Sequence, residues 1–84
     1  MSEAIIYTTQ NCPFCTKAKS LLSGLSIDYT EKLIASRQDP TRAELVERMH
    51  LGATDRLFVP QIWIDGQHIG GFDRLQEWSL ATKN

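Results

Sequence analysis

Charge of one sign, long apolar runs and cysteine are all scarce in this chain of 84 residues. Nine basic residues stand against ten acidic ones, for a net charge of −1, and the Lys and Arg are scattered. A polyanion needs a basic stripe, so nucleic acid is excluded as an expected partner. The apolar runs are only a few residues long, against the roughly 20 that a membrane-spanning helix needs. Met1-Ser2-Glu3 has neither a charged n-region nor an apolar h-region, so no signal peptide is expected. Membrane attachment is therefore not expected, and the expected location is cytoplasmic. Repeats, low-complexity tracts and linkers are missing as well. The length suits one compact domain over residues 1–84.

The two cysteines that are present fall in one box, Cys12-Pro13-Phe14-Cys15, just after a short apolar strand pattern. Pro13 favours a helix start through its fixed φ and missing N–H, which puts Cys12 at the helix N-terminus and Cys15 one turn further in. Unsatisfied backbone N–H groups and the positive end of the helix dipole then favour the Cys12 thiolate, the form that attacks disulfides. Cys15 becomes the second thiol of a redox pair. A purely structural disulfide would close so short a loop that it stabilises little. A zinc site would need His50 and His68, which lie far outside finger spacing. No metal site is expected. Cytosolic thiols are kept reduced, which also favours a catalytic pair over a structural one.

Ala4 to Thr8 reads as a buried strand that delivers the box. From Pro13 to about Ser23, Ala18, Leu21 and Leu22 recur at helical spacing, and Gly24 is the expected stop. Ile27 to Leu33 alternates at period two, as expected for a strand parallel to the first. Asp39-Pro40 starts a second helix whose apolar stripe, Ala43, Leu45, Val46 and Met49, ends near Leu51-Gly52. A polar connector is expected over Ala53 to Arg56. A strand is expected over Phe58 to Asp65, with Pro60 near its start. Asp65-Gly66 signals a hairpin turn returning through Gln67 to Gly70. Phe72-Asp73 begins a last helix carrying Leu75, Trp78 and Leu80. The order βαβαββα closes into a four-stranded mixed sheet with flanking helices, an α/β fold. Functional groups collect beyond the carboxyl ends of parallel strands, which is where the Cys12 loop falls. Trp63, Trp78 and Tyr29 read as packing residues.

Three motifs carry a family resemblance. Tyr7 with the cysteine box, Val59-Pro60-Gln61-Ile62, and Ile64 through Asp73 occur in order over residues 4–80 and resemble a dithiol glutaredoxin of the thioredoxin fold. The resemblance implies a glutathione-dependent disulfide reductase with Cys12 as nucleophile and Cys15 as resolving thiol. It implies glutathione as co-substrate, no bound cofactor, disulfide-containing client proteins that include ribonucleotide reductase, and a monomer. It also implies a cis Val59–Pro60 peptide facing the cysteines, with Val59 offering its backbone to the cysteinyl part of glutathione. Gly71, Phe72 and Asp73 would meet the γ-glutamyl end, where a glycine turn into a helix exposes N–H groups. Phe14 and Phe72 would shield the mixed disulfide.

The chain also departs from that pattern. Glutaredoxins commonly carry lysine where this chain has Thr9, threonine where it has Phe58, and often a second acidic residue where it has Arg74. One missing screened ion pair would cost about 0–1 kcal/mol, and Arg37, Arg56 and Arg74 are candidates to replace it. Two alternatives stand beside the main reading: a redoxin reduced by thioredoxin reductase, and a glutathione-ligated [2Fe–2S] carrier. Pro13 argues against the carrier.

Overall fold

The computed structural model describes residues 3–52 and 55–82. Seven elements follow in the expected order: β1 (Glu3–Thr9), α1 (Pro13–Gly24), β2 (Asp28–Ile34), α2 (Pro40–Arg48), β3 (Gln61–Ile64), β4 (Gln67–Gly70) and α3 (Phe72–Thr82). The sheet order is β2-β1-β3-β4, with β1 and β2 parallel and the other neighbours antiparallel. This is the thioredoxin-like mixed sheet. Successive β1 side chains point to opposite faces. Ala4 and Ile6 pack with Ala18 and Leu22 of α1 and Leu75 of α3, and Tyr7 packs with Leu45 of α2 and Trp63.

Several boundaries differ from the sequence expectation, each for a local reason. Gly24 does not stop α1; it lies in the last helical turn. The stop is Ser26, which takes φ 58°, and Ile27 N–H then reaches back to the Leu22 carbonyl at 3.0 Å. The same device ends α2 at Arg48, short of Leu51-Gly52. His50 takes φ 56° and Leu51 N–H donates to the Val46 carbonyl at 3.1 Å. The expected strand from Phe58 starts only at Gln61, because Pro60 has no N–H for the ladder and pairing begins at Tyr7 opposite Gln61. Leu80 is 70% exposed, off the α3 stripe. The connector expected over Ala53 to Arg56 lies partly outside the described residues.

The hairpin is as expected. Asp65 and Gly66 have φ 51° and 84°, both left-handed, as a tight two-residue turn requires. The register also places the site. Tyr7 opposite Gln61 brings Val59 and Pro60 alongside the end of β1, where the chain turns into the cysteine box.

Candidate active site around Cys12

Cys12 is the N-cap of α1 and Pro13 its first residue. The Cys12 Sγ accepts the backbone N–H of Cys15 at 3.2 Å, so a sulfur takes the capping place that Ser or Asp usually fills. Cys12 and Cys15 are joined as a disulfide, with their Cα atoms 5.2 Å apart. Cys12 is partly exposed and Cys15 only 2% exposed. One cysteine reaches the surface and the other lies behind it.

The Val59–Pro60 peptide is cis. Phe14, Val59, Pro60, Gly71, Phe72 and Asp73, the six residues singled out for glutathione, all line one groove of about 360 Å³. Cys12 and Cys15 line a separate recess with Pro13, whose chain neighbour Phe14 lines the groove. Gly71 packs against the cis-proline loop, where a Cβ would lie in ordinary contact 3.5 Å from the Pro60 carbonyl oxygen, and its own carbonyl accepts Leu75 N–H at 3.0 Å to start α3. Asp73 sits exposed in the first turn of α3, near the free N–H groups of the helix end. The Phe14 and Phe72 rings are 6.1 Å apart, and Lys17 Nζ lies 5.2 Å from the centre of the Phe14 ring.

The departures find places too. Phe58 and Arg74 line the same groove, Phe58 being 62% exposed. Thr9 lines a different pocket, of about 400 Å³, together with Val59, Arg37 and Arg42. Of the arginines considered, Arg37 thus shares a pocket with the position that lacks lysine, while Arg74 lines the groove of Phe58. Arg42 joins Arg37, which the sequence did not reveal; its position one turn into α2 gave no local signal.

A polar cluster clamps α2 to the sheet. Tyr7 OH donates to Glu44 Oε2, Lys32 Nζ reaches the same oxygen at 2.8 Å, and Arg48 Nη1 donates to Tyr7 OH at 3.0 Å. Arg48 lies over the Trp63 ring at 4.8 Å, and His68 stacks on Trp63 at 4.4 Å while bonding Gln61. Burial pushes the Tyr7 hydroxyl upward, with Glu44 adding to it. Lys32 and then Tyr7 hold the Glu44 carboxyl below the ordinary range. Burial lowers His68. On the opposite face, Glu31 Oε2 accepts from Thr8 Oγ1 at 2.7 Å and from Lys19 Nζ at 3.0 Å, which lowers that carboxyl, Thr8 first. Among the described residues no group of three His, Cys, Asp or Glu is placed to hold a metal ion, and no helix is long and apolar enough to cross a membrane.

A parallel βαβ unit, an antiparallel hairpin, a C-x-x-C pair at a helix N-cap and a cis-proline loop beside it define a thiol–disulfide oxidoreductase of thioredoxin-like fold. The comparisons narrow the class. The glutaredoxin family profile matches residues 4–69. Glutaredoxin 1 of Rickettsia bellii is 48% identical over 73 residues, covering 87% of this chain and 72% of that protein. Glutaredoxin 3 of Escherichia coli K12 is 41% identical over 75 residues, covering 89% and 83%. In structure, glutaredoxin 1 of Francisella tularensis, crystallised with cacodylate, superposes with a TM-score of 0.80 at 30% identity, covering 100% and 99%. A buckwheat glutaredoxin–glutathione complex superposes at 0.75 with 25% identity, covering 98% and 72%. The chain belongs to the glutaredoxin family. It is a glutathione-dependent thiol–disulfide oxidoreductase.

Proposed function

We propose that Cys12 is the nucleophile and Cys15 the resolving thiol of a single-domain, monomeric cytoplasmic enzyme. The Cys12 thiolate attacks one sulfur of a substrate disulfide, the S–S bond breaks, and the other sulfur leaves as a thiolate that takes a proton from water. With a protein dithiol client, Cys15 then attacks Cys12 Sγ. That step closes the Cys12–Cys15 bond and frees the client reduced. Two glutathione molecules reduce the enzyme again and leave as glutathione disulfide. With a glutathionylated client, Cys12 takes up the glutathionyl group and a second glutathione resolves it.

Glutathione lies along the cis-proline loop, with its cysteinyl backbone against Val59 and Pro60. Its γ-glutamyl carboxylate meets the N–H groups of Gly71 and Phe72 at the start of α3, and its ammonium meets Asp73. The glycine carboxylate reaches the Arg37 and Arg42 pocket beside Thr9, which replaces the cation missing at that position. Phe14 and Phe72 cover the mixed disulfide. Glutathione is co-substrate and no cofactor is bound; clients are protein disulfides, ribonucleotide reductase among them. The observation that carries this reading is the Cys15 N–H donated to Cys12 Sγ at the head of α1, whose Phe14 lines one groove with the other five residues read as binding glutathione. A coupled assay with glutathione, glutathione reductase and a small glutathione mixed disulfide tests it. Turnover that needs Cys12 supports the reading, and absence of turnover ends it.

A further inference from the structure

Lys19 and Glu31 line the same recess as the two cysteines, a space of about 590 Å³. Lys19 follows Cys15 by four residues on α1, which places both on one side of the helix with Cβ atoms about 5–6 Å apart. Side chains on a helix lean toward its N-terminus, so the long Lys19 side chain is directed back along the turn that holds Cys15. Cys12 lies at the other end of the same turn, its sulfur bonded to that of Cys15. The ammonium does not float free. Glu31 Oε2 on β2 holds it at 3.0 Å and also accepts from Thr8, which is fully buried on β1. Glu31, anchored to the sheet, thus holds the ammonium in the recess that both cysteines line. The Lys19 and Glu31 side chains are 29% and 34% exposed, so the pair is only partly screened by water.

Building on the resolving role proposed for Cys15, we infer that Lys19 stabilises the Cys15 thiolate during the resolving step. Cys15 loses its proton to water, its sulfur pair attacks Cys12 Sγ, the Cys12–client bond breaks, and the client sulfur leaves as a thiolate. A cation near Cys15 favours the charged form that this step requires. The same charge favours Cys15 as leaving group when glutathione later opens the disulfide at Cys12. Glu31 opposes the effect through its own charge while it positions the cation. In the resolving step the negative charge sits on Cys15, and Lys19 acts there on the dithiol half of the chemistry.

Single-turnover reduction of insulin, sampled by acid quench, separates the mixed disulfide at Cys12 from the closed Cys12–Cys15 product. The Cys15→Ser variant reports on the underlying reading: the mixed disulfide must accumulate, and if it does not, the resolving role of Cys15 fails whatever Lys19 does. Given that result, Lys19→Gln is expected to slow closure about two- to fivefold, within the range of a partly screened charge, and Lys19→Arg to restore it. If Lys19→Arg closes as slowly as Lys19→Gln does, the charge is not what counts and the inference is overturned. It is equally overturned if Lys19→Gln closes at the parent rate. Thermal melts of each variant show whether the compared proteins are folded.

Discussion

The backbone N–H of Cys15 donates to the Sγ of Cys12 across 3.2 Å, so a donor already stands where a Cys12 thiolate would carry its charge. The donor belongs to the backbone and survives replacement of the Cys15 side chain. The two cysteines are therefore separable by mutation.

Cys12→Ser is expected to abolish both activities. Cys15→Ser keeps removal of glutathione from mixed disulfides and loses reduction of protein dithiols. Paired assays with a glutathionylated peptide and with insulin check this. Equal loss in both variants would contradict the division of labour.

Arg37 and Arg42 line the pocket beside Thr9, and in the proposed pose they meet the glycine carboxylate of glutathione. Arg42→Ala, or Arg37→Ala, should raise KM for a glutathione mixed disulfide up to about fivefold, the worth of one screened ion pair. The kcat should be little changed, since neither arginine is near the sulfurs in the proposed pose. Asp73→Asn should act in the same direction from the other end of the groove. Protection of Cys12 from alkylation by glutathione, titrated in each variant, gives an independent reading.

Gly70 holds φ 118°, and a Cβ there would lie 3.0 Å from Arg74 Cγ. Arg74 is flexible and can yield, but the backbone angle cannot be relieved by moving a neighbour. Gly70→Ala should cost about 1–3 kcal/mol of stability. Because Gly70 leads directly into the α3 turn, KM for glutathione substrates should rise as well. Denaturant unfolding measures the first effect and steady-state kinetics the second.

Stability should fall in acid. Glu31, Glu44 and Asp39 each have a carboxyl held below its ordinary value of 4.5, 4.5 and 3.8 by hydrogen bonds: from Thr8 first, Lys32 first, and the Ala35 N–H first. For a depressed carboxyl the contribution is complete above the unfolded value and is lost as pH falls through the folded one. His68 acts in the same direction: with its value lowered by burial, it favours the folded state least once pH falls below about 6.5. Lys32 is raised by Glu44, so its contribution is lost only in strong alkali. Melting temperature followed from pH 7 to pH 3 should drop, and the drop between pH 5 and 3 should shrink in a Glu31→Gln, Glu44→Gln protein. An unchanged acid limb in that protein would count against these ion pairs.

Much of this was legible in the residues, because strong local signals agreed with one another. Pro13 and Asp39-Pro40 marked two helix starts, Asp65-Gly66 marked the hairpin, and the C-x-x-C box marked the redox pair. The misses have physical causes. Helix ends at Ser26 and His50 use left-handed residues other than glycine, so the visible Gly24 and Gly52 misled. Pro60 delays strand pairing by removing a donor, which an apolar run over Phe58 to Ile64 conceals. The ties of Tyr7 to Glu44 and of Lys19 to Glu31 depend on strand register and helix crossing, which no local pattern encodes. The Arg37 and Arg42 pocket forms from segments that meet only when α2 docks on the sheet.

The central claim is that the α1 N-terminus makes Cys12 the reactive sulfur. Fully reduced protein, alkylated with iodoacetamide across a pH series and analysed peptide by peptide, tests it most directly. The account predicts that Cys12 reacts first and titrates well below the ordinary thiol value of about 8.5, with Cys15 modified later. A Cys12 thiol that titrates at or above that value, or a Cys15 that reacts before it, would contradict the account.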